Sequence, residues 1–193
     1  MTSETAYTEA YVWVWLPGET KPVVAGRLAA TDGQLVFNYG QSYLARKNAI
    51  SLYDPELPLR SGTLPLLNGL QMPNSIRDAA PDAWGRRVIV NRKLGARRRK
   101  IDVAELDELT YLLESASDRA GALDFQLSAT EYVAREAGKA SLDELLNAAD
   151  SVEKGIPISP DLDNAFTSRK VNSFFAVSET RFLKACASNG EED

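Results

Sequence analysis

Eight basic residues, Arg86, Arg87, Arg92, Lys93, Arg97, Arg98, Arg99 and Lys100, follow one another with no acid between them. Such a block can hold an anionic partner such as tRNA, DNA or a phosphoprotein, because phosphate binding needs a positive field. Six acids and no base then run from Asp102 to Asp118. Cations near a helix C-terminus offset its dipole, so two solvated and complementary helix faces explain the same charges and are the favoured reading. Asp102, Glu105, Asp107 and Glu108 offer the oxygen ligands that magnesium prefers, but an acidic face beside the basic run is again the simpler account. Asp124-Phe125-Gln126 approaches the metal-binding Asp-Phe-Gly of kinases without its glycine. Because Leu123, Phe125 and Leu127 alternate with Asp124 and Gln126, a half-buried strand explains that stretch. No catalytic, cofactor-binding or metal residue is assigned, and the basic run stands as the candidate surface for an anionic partner.

Composition removes whole reaction classes. The 193 residues include no histidine and one cysteine, Cys186. Neither a Ser-His-Asp nor a Cys-His nucleophile can be built from them, and no Cys/His zinc cage. A lone cysteine allows no internal disulfide and fits a reducing compartment. Neither G-x-G-x-x-G nor G-x-x-x-x-G-K-[ST] occurs. The net charge of -5 argues against a surface that coats nucleic acid as a whole. Met1 to Ala10 carries Glu4, Glu9 and no base, unlike a signal peptide, and no apolar stretch nears the ~20 residues of a membrane helix. The chain reads as cytoplasmic, with no membrane contact. Its length and its 44% hydrophobic residues suffice for a core that buries roughly 70% of the unfolded surface.

The elements that must position these residues are strands first, helices later. Tyr11 to Leu16 alternates Tyr11, Trp13 and Trp15 with Val12, Val14 and Leu16, so both faces of this strand meet apolar neighbours. Pro17-Gly18 ends it. Val23 to Leu28 and Leu35 to Tyr39 flank Asp32-Gly33, a hairpin signal because such a turn needs positive φ. Tyr43-Leu44 and Ile50-Ser51-Leu52 are expected to add short strands. Prolines and glycines from Asp54 to Pro73 block long helices. Pro81 and Asp82 start a helix running through Trp84, a core aromatic, to Leu94. Asp102 with Glu105 predicts a second helix carrying Val103, Leu106, Leu109 and Leu113. Ser141 with Glu144 opens a third, whose Leu142, Leu145, Leu146, Ala149 and Val152 form an apolar face up to Gly155. Strands followed by helices with one interposed strand make the fold α+β: a small N-terminal antiparallel sheet or half-barrel, then a mixed helical region.

Several segments resemble the N-terminal region of HipA-type serine/threonine kinase toxins. Gly26-Arg27-Leu28, Phe37-Asn38-Tyr39, Tyr43-Leu44 and Leu57-Pro58-Leu59 share its spacing. Ile76 to Arg87 is similar to the family's LxDxxPDxWGRR segment, and Asp118 to Phe125 to its DRxGALxF segment. The resemblance spans about residues 10 to 165 and implies a bacterial toxin encoded with a HipB-like helix-turn-helix antitoxin. Such a toxin phosphorylates a translation target with ATP and magnesium. The implied organisation is a β-rich subdomain over 1–60, a mixed α/β part of the kinase N-terminal lobe over 61–165, and a tail over 166–193 that departs from the family and is expected to be partly disordered.

The departures bear on activity. Where the family enters a glycine-rich loop and an ATP-contacting lysine, this chain reads Phe166-Thr167-Ser168-Arg169-Lys170-Val171, and Lys170 lacks the flanks to be that lysine. An Asp-x-His-x-x-Asn catalytic loop cannot occur without histidine. The abrupt change after Ala165 reads as a frameshift, a truncation or a short homologue. The expectation is a HipA-type N-terminal portion with no phosphotransfer of its own, holding neither ATP nor magnesium by itself. The alternative is a regulatory or antitoxin-like module that docks a separate kinase core. Direct nucleic-acid binding through residues 86–100 is the least favoured.

Overall fold

The computed structural model describes residues 7–67, 69–94, 106–119, 121–135 and 142–154, together with 156, 158, 159 and 162. Positive φ angles of 50° at Asp32 and 76° at Gly33 make the two-residue turn that the Asp-Gly pair predicts. That turn joins β2 (Val23–Thr31) to β3 (Gln34–Tyr39), with Thr31 opposite Gln34. On its other side β2 pairs with β1 (Glu9–Val14), whose register shifts between Val12 and Trp13. There Gly26 faces Val12 and Val24 faces Trp13, which leaves Ala25 as a bulge. The last strand, β4 (Leu123–Gln126), returns to pair antiparallel with β1 and completes the order β3-β2-β1-β4.

Five helices accompany the sheet among the described residues: α1 (Gln41–Leu44), α2 (Asn74–Arg77), α3 (Ala83–Leu94), α4 (Glu108–Glu114) and α5 (Leu142–Glu153). The fold is α+β, as the element order implies. The core unites Val12, Leu28, Phe37 and Phe125 of the strands with Tyr43, Ile76, Leu109 and Leu112 of the helices. Each such side chain contributes about 1.5–3 kcal/mol through burial. One core therefore crosses the division at residue 60, because β4, from the second region, pairs with β1 from the first. A smaller cluster of Val88, Ala148 and Val152, with Trp84 against it, joins α3 to α5.

Several expectations are corrected. Tyr43-Leu44 is helical, because the amides of Tyr43 and Leu44 bond back to the Gly40 carbonyl. Tyr43 stacks on Tyr39 with centroids 5.6 Å apart, and its hydroxyl donates to the Ile50 carbonyl at 2.9 Å. Ile50 to Leu52 forms no strand; the Leu52 amide donates to the Tyr39 hydroxyl at 2.8 Å in place of a ladder partner. The helix expected from Asp102 is described only from Glu108, with Asp107 as its cap: the Asp107 carboxylate accepts the Thr110 amide at 2.7 Å. Leu106 precedes that helix, and Asp102, Val103 and Glu105 lie outside the described residues. In α5 the buried face holds Ala148 and Val152, whereas Leu146 is 49% exposed. Ser141, Gly155 and the tail over 166–193 lie outside the described residues.

Candidate functional site

Helix α3 starts as its sequence predicts, with an Asp82 carboxylate oxygen accepting the Gly85 amide at 2.8 Å. This start sets Arg86 one turn in, facing α4. Both terminal nitrogens of Arg86 donate to Glu108 at 2.7 Å, a bidentate fork, and its guanidinium lies 4.4 Å from the centroid of Tyr111. The Glu108 hydrogen bond holds Arg86 above the usual arginine value. Two turns on, Arg92 and Lys93 both reach Glu114, at 2.8 and 2.7 Å, and the Tyr7 hydroxyl donates to the same carboxylate at 2.7 Å. Burial would raise the Glu114 carboxyl, but Lys93, Tyr7 and Arg92 outweigh it and hold it below the usual carboxylate range.

The candidate basic surface is thus changed by its neighbours. Arg86, Arg92 and Lys93 bind α3 to α4, while Arg87 is exposed with its guanidinium 5.4 Å from the Trp84 ring. Arg97, Arg98, Arg99 and Lys100 lie outside the described residues. Of the carboxylates considered for magnesium, Asp107 is engaged by Thr110 and Glu108 by Arg86. Among the described residues no group of three or more His, Cys, Asp or Glu could hold a metal ion.

Sequence reasoning missed the most highly organised polar group of the chain. Asp124 and Gln126 were expected on the solvated side of β4, yet Asp124 is 0% exposed and Gln126 is buried, while Leu127, expected inside, is 62% exposed. The Asp124 carboxylate accepts six hydrogen bonds. Oδ1 takes Arg119 Nε at 3.0 Å, Arg135 Nη2 at 2.8 Å and the Phe125 amide at 2.8 Å. Oδ2 takes Ser117 Oγ at 2.6 Å, Gln126 Nε2 at 2.9 Å and the Tyr132 hydroxyl at 3.0 Å. Six donors exceed the roughly four lone-pair sites of a carboxylate, so Asp124 has no position left for a metal ion or a substrate proton.

Arg119 spans the interior from this point. It donates to the carbonyls of Ala79, just beyond α2, Leu112 in α4 and Ser115 at its end. Arg135 bonds the Ser115 carbonyl at 2.9 Å and the Phe125 carbonyl at 2.8 Å. Asp124 on the Phe125 amide and Arg135 on its carbonyl thereby satisfy the edge of β4 that faces away from β1. Tyr132 packs at 5.4 Å against both Trp13 of β1 and Trp15 just beyond its end. The available signal was the charged pair, Arg119 and Asp124, on either side of the apolar Ala120 to Leu123 in a segment that is otherwise core-like.

Burial pulls the Arg119 guanidinium down to about 10, opposed by Asp124. Burial would raise Asp124, but Arg119, Arg135 and Ser117 overcome it and lower its carboxyl below the usual value. Asp124 and Glu114 are both depressed in the folded state, so their stabilisation is complete above the unfolded carboxylate range and disappears as pH falls through the folded values. Thermal unfolding followed by circular dichroism should therefore show little change from pH 7 to about 5 and a progressive loss below about pH 4. A midpoint that stays level down to pH 3 contradicts this.

A groove of about 500 Å³ separates the β2–β3 hairpin from the start of α4, with Met72, Arg77 and Leu109 among its walls. No helix of the described residues is long and apolar enough to cross a membrane. In comparisons with known proteins, residues 13–126 match the family model of the HipA N-terminal domain. No curated protein matches the chain.

Proposed function

The chain belongs to the HipA N-terminal domain family, and from that premise we propose that it is the N-terminal portion of a HipA-type toxin, acting as a folded docking part without phosphotransfer of its own. The observation that carries this reading is the use of the family's two charged segments. Asp82 caps α3, Arg86 pairs with Glu108, and Arg119 and Asp124 are saturated by one another and by the backbone. Phosphoryl transfer is mainly positioning of phosphates and metal, and these charges are already committed to architecture. The same residues include no histidine for an Asp-x-His-x-x-Asn loop, and no glycine between Gly155 and Gly190 for a phosphate-cradling one.

ATP and magnesium would accordingly belong to a kinase core elsewhere, in a bacterial cytoplasmic toxin-antitoxin system. The partner in this reading would be a HipB-like helix-turn-helix antitoxin, and a separately encoded kinase core would be the partner of the second. A stand-alone regulatory module is the second reading; it is favoured by a sheet that closes its own core and pairs its own buried charges. With γ-labelled ATP and magnesium, the purified chain should transfer no label to itself or to a generic protein acceptor. Transfer that survives repurification overturns the inactive reading. Capture of a separately expressed HipA-type kinase core by the inactive chain would select the second reading over the first.

A further inference from the structure

We propose that the groove between the end of β1, residues 50–52 and the C-terminal end of α2 docks a partner segment that presents an apolar side chain next to a lysine or arginine. The groove holds about 380 Å³, at the lower end of ligand-binding cavities, which suits one side chain and the stem of its neighbour. Its walls are Val14, Trp15, Leu52, Ala79 and Leu123, and Ile50 stands 42% exposed beside them. Trp15 is half-buried, with one edge held by Tyr132. An apolar side chain entering here removes surface from water on both partners.

The cation follows from Asp78, the one ionisable group lining the groove. Glu108, Glu114 and Asp124 are all paired within the fold, whereas Asp78 is exposed and no cation pairs with it among the described residues. Asp78 is moreover the C-cap of α2, at the negative end of that short helix, where a carboxylate gains nothing from its own backbone. A purely apolar occupant would desolvate Asp78 without compensation, and an acidic one would be repelled. The net charge of -5 favours approach of a cationic segment. This inference rests on the groove and Asp78 and stands whether or not the chain is part of a toxin.

The test is a titration of the full ¹⁵N-labelled chain with acetyl-Leu-Arg-amide and, separately, acetyl-Leu-Glu-amide. The arginine peptide should shift the Trp15 indole and the amides of Ile50, Leu52 and Asp78. It should bind roughly fivefold tighter than the glutamate peptide, the preference that a partly exposed ion pair supports. Asp78→Asn, a change on the surface, should leave the spectrum dispersed and abolish the preference. Equal affinity for the two peptides, binding of neither, or shifts outside the groove overturns the proposal. Concentration-dependent shifts at these residues without peptide also overturn it, since a second copy then covers the groove.

Discussion

Arg119→Met will destabilise the chain by about 3 kcal/mol, the cost of breaking a buried ion pair and leaving buried carbonyls without their donor, while Arg135 still faces Asp124. Arg119 ties the Asp124 carboxylate to the carbonyls of Ala79, Leu112 and Ser115, and of these three Arg135 also reaches Ser115. Methionine fills much of the volume but supplies none of these donors, so a buried charge and buried backbone acceptors lose partners together. Urea unfolding followed by tryptophan fluorescence measures the loss, and the melting temperature should fall by roughly 6–12 °C for a chain of this size. Arg119→Lys should recover only part, because one ammonium cannot reach what the planar fork reaches. Combining Arg119→Met with Asp124→Asn should cost less than the sum of the single changes, since the two residues share one interaction. A loss below about 1 kcal/mol for Arg119→Met, the scale of an exposed pair, would show the network to be dispensable.

Gly26→Ala is the second large effect, on the order of 3 kcal/mol, by overpacking that the backbone cannot absorb cheaply. A Cβ at position 26 would lie 2.1 Å from the Asn38 carbonyl oxygen and 2.7 Å from Cζ of Phe37. The first contact is with backbone, so relief requires β2 and β3 to separate where Gly26 faces Tyr39. Loss of amide protection along β3 in hydrogen exchange, with a lowered melting temperature, is the expected result. Gly40→Ala is the control. Its φ of -70° suits alanine and the nearest atoms to a Cβ are at 3.8 Å, so the change should stay within about 1 kcal/mol. Equal effects at the two positions would refute the steric account.

Both effects fall inside segments that carry the family resemblance. Gly26 belongs to Gly26-Arg27-Leu28, and Arg119 to the Asp118 to Phe125 stretch. Their physical roles are close approach of two strands and neutralisation of a buried carboxylate, which are properties of the fold. Matching residues in these two segments therefore report the fold.

By itself the sequence determined the local elements and one exclusion. The extended run 23–28 and the period-two alternation of 35–39 with the intervening Asp-Gly, and the capping aspartate at position 82, specify strands, turn and helix through neighbours a few residues away. The absence of histidine excludes imidazole chemistry without any structure. Only the tertiary structure decided which charges are available. Arg86 meets Glu108 and Arg92 meets Glu114 across 22 residues of sequence, and Arg119 reaches Ala79 across 40. Likewise β4 reads as half-solvated because alternation records polarity and not surroundings, and its second face is covered by Tyr132 and Arg135 only once the chain has folded over it. Whether a charge is a binding group or a buried structural one depends on the water and counter-charge around it, and those are supplied by residues distant in the chain.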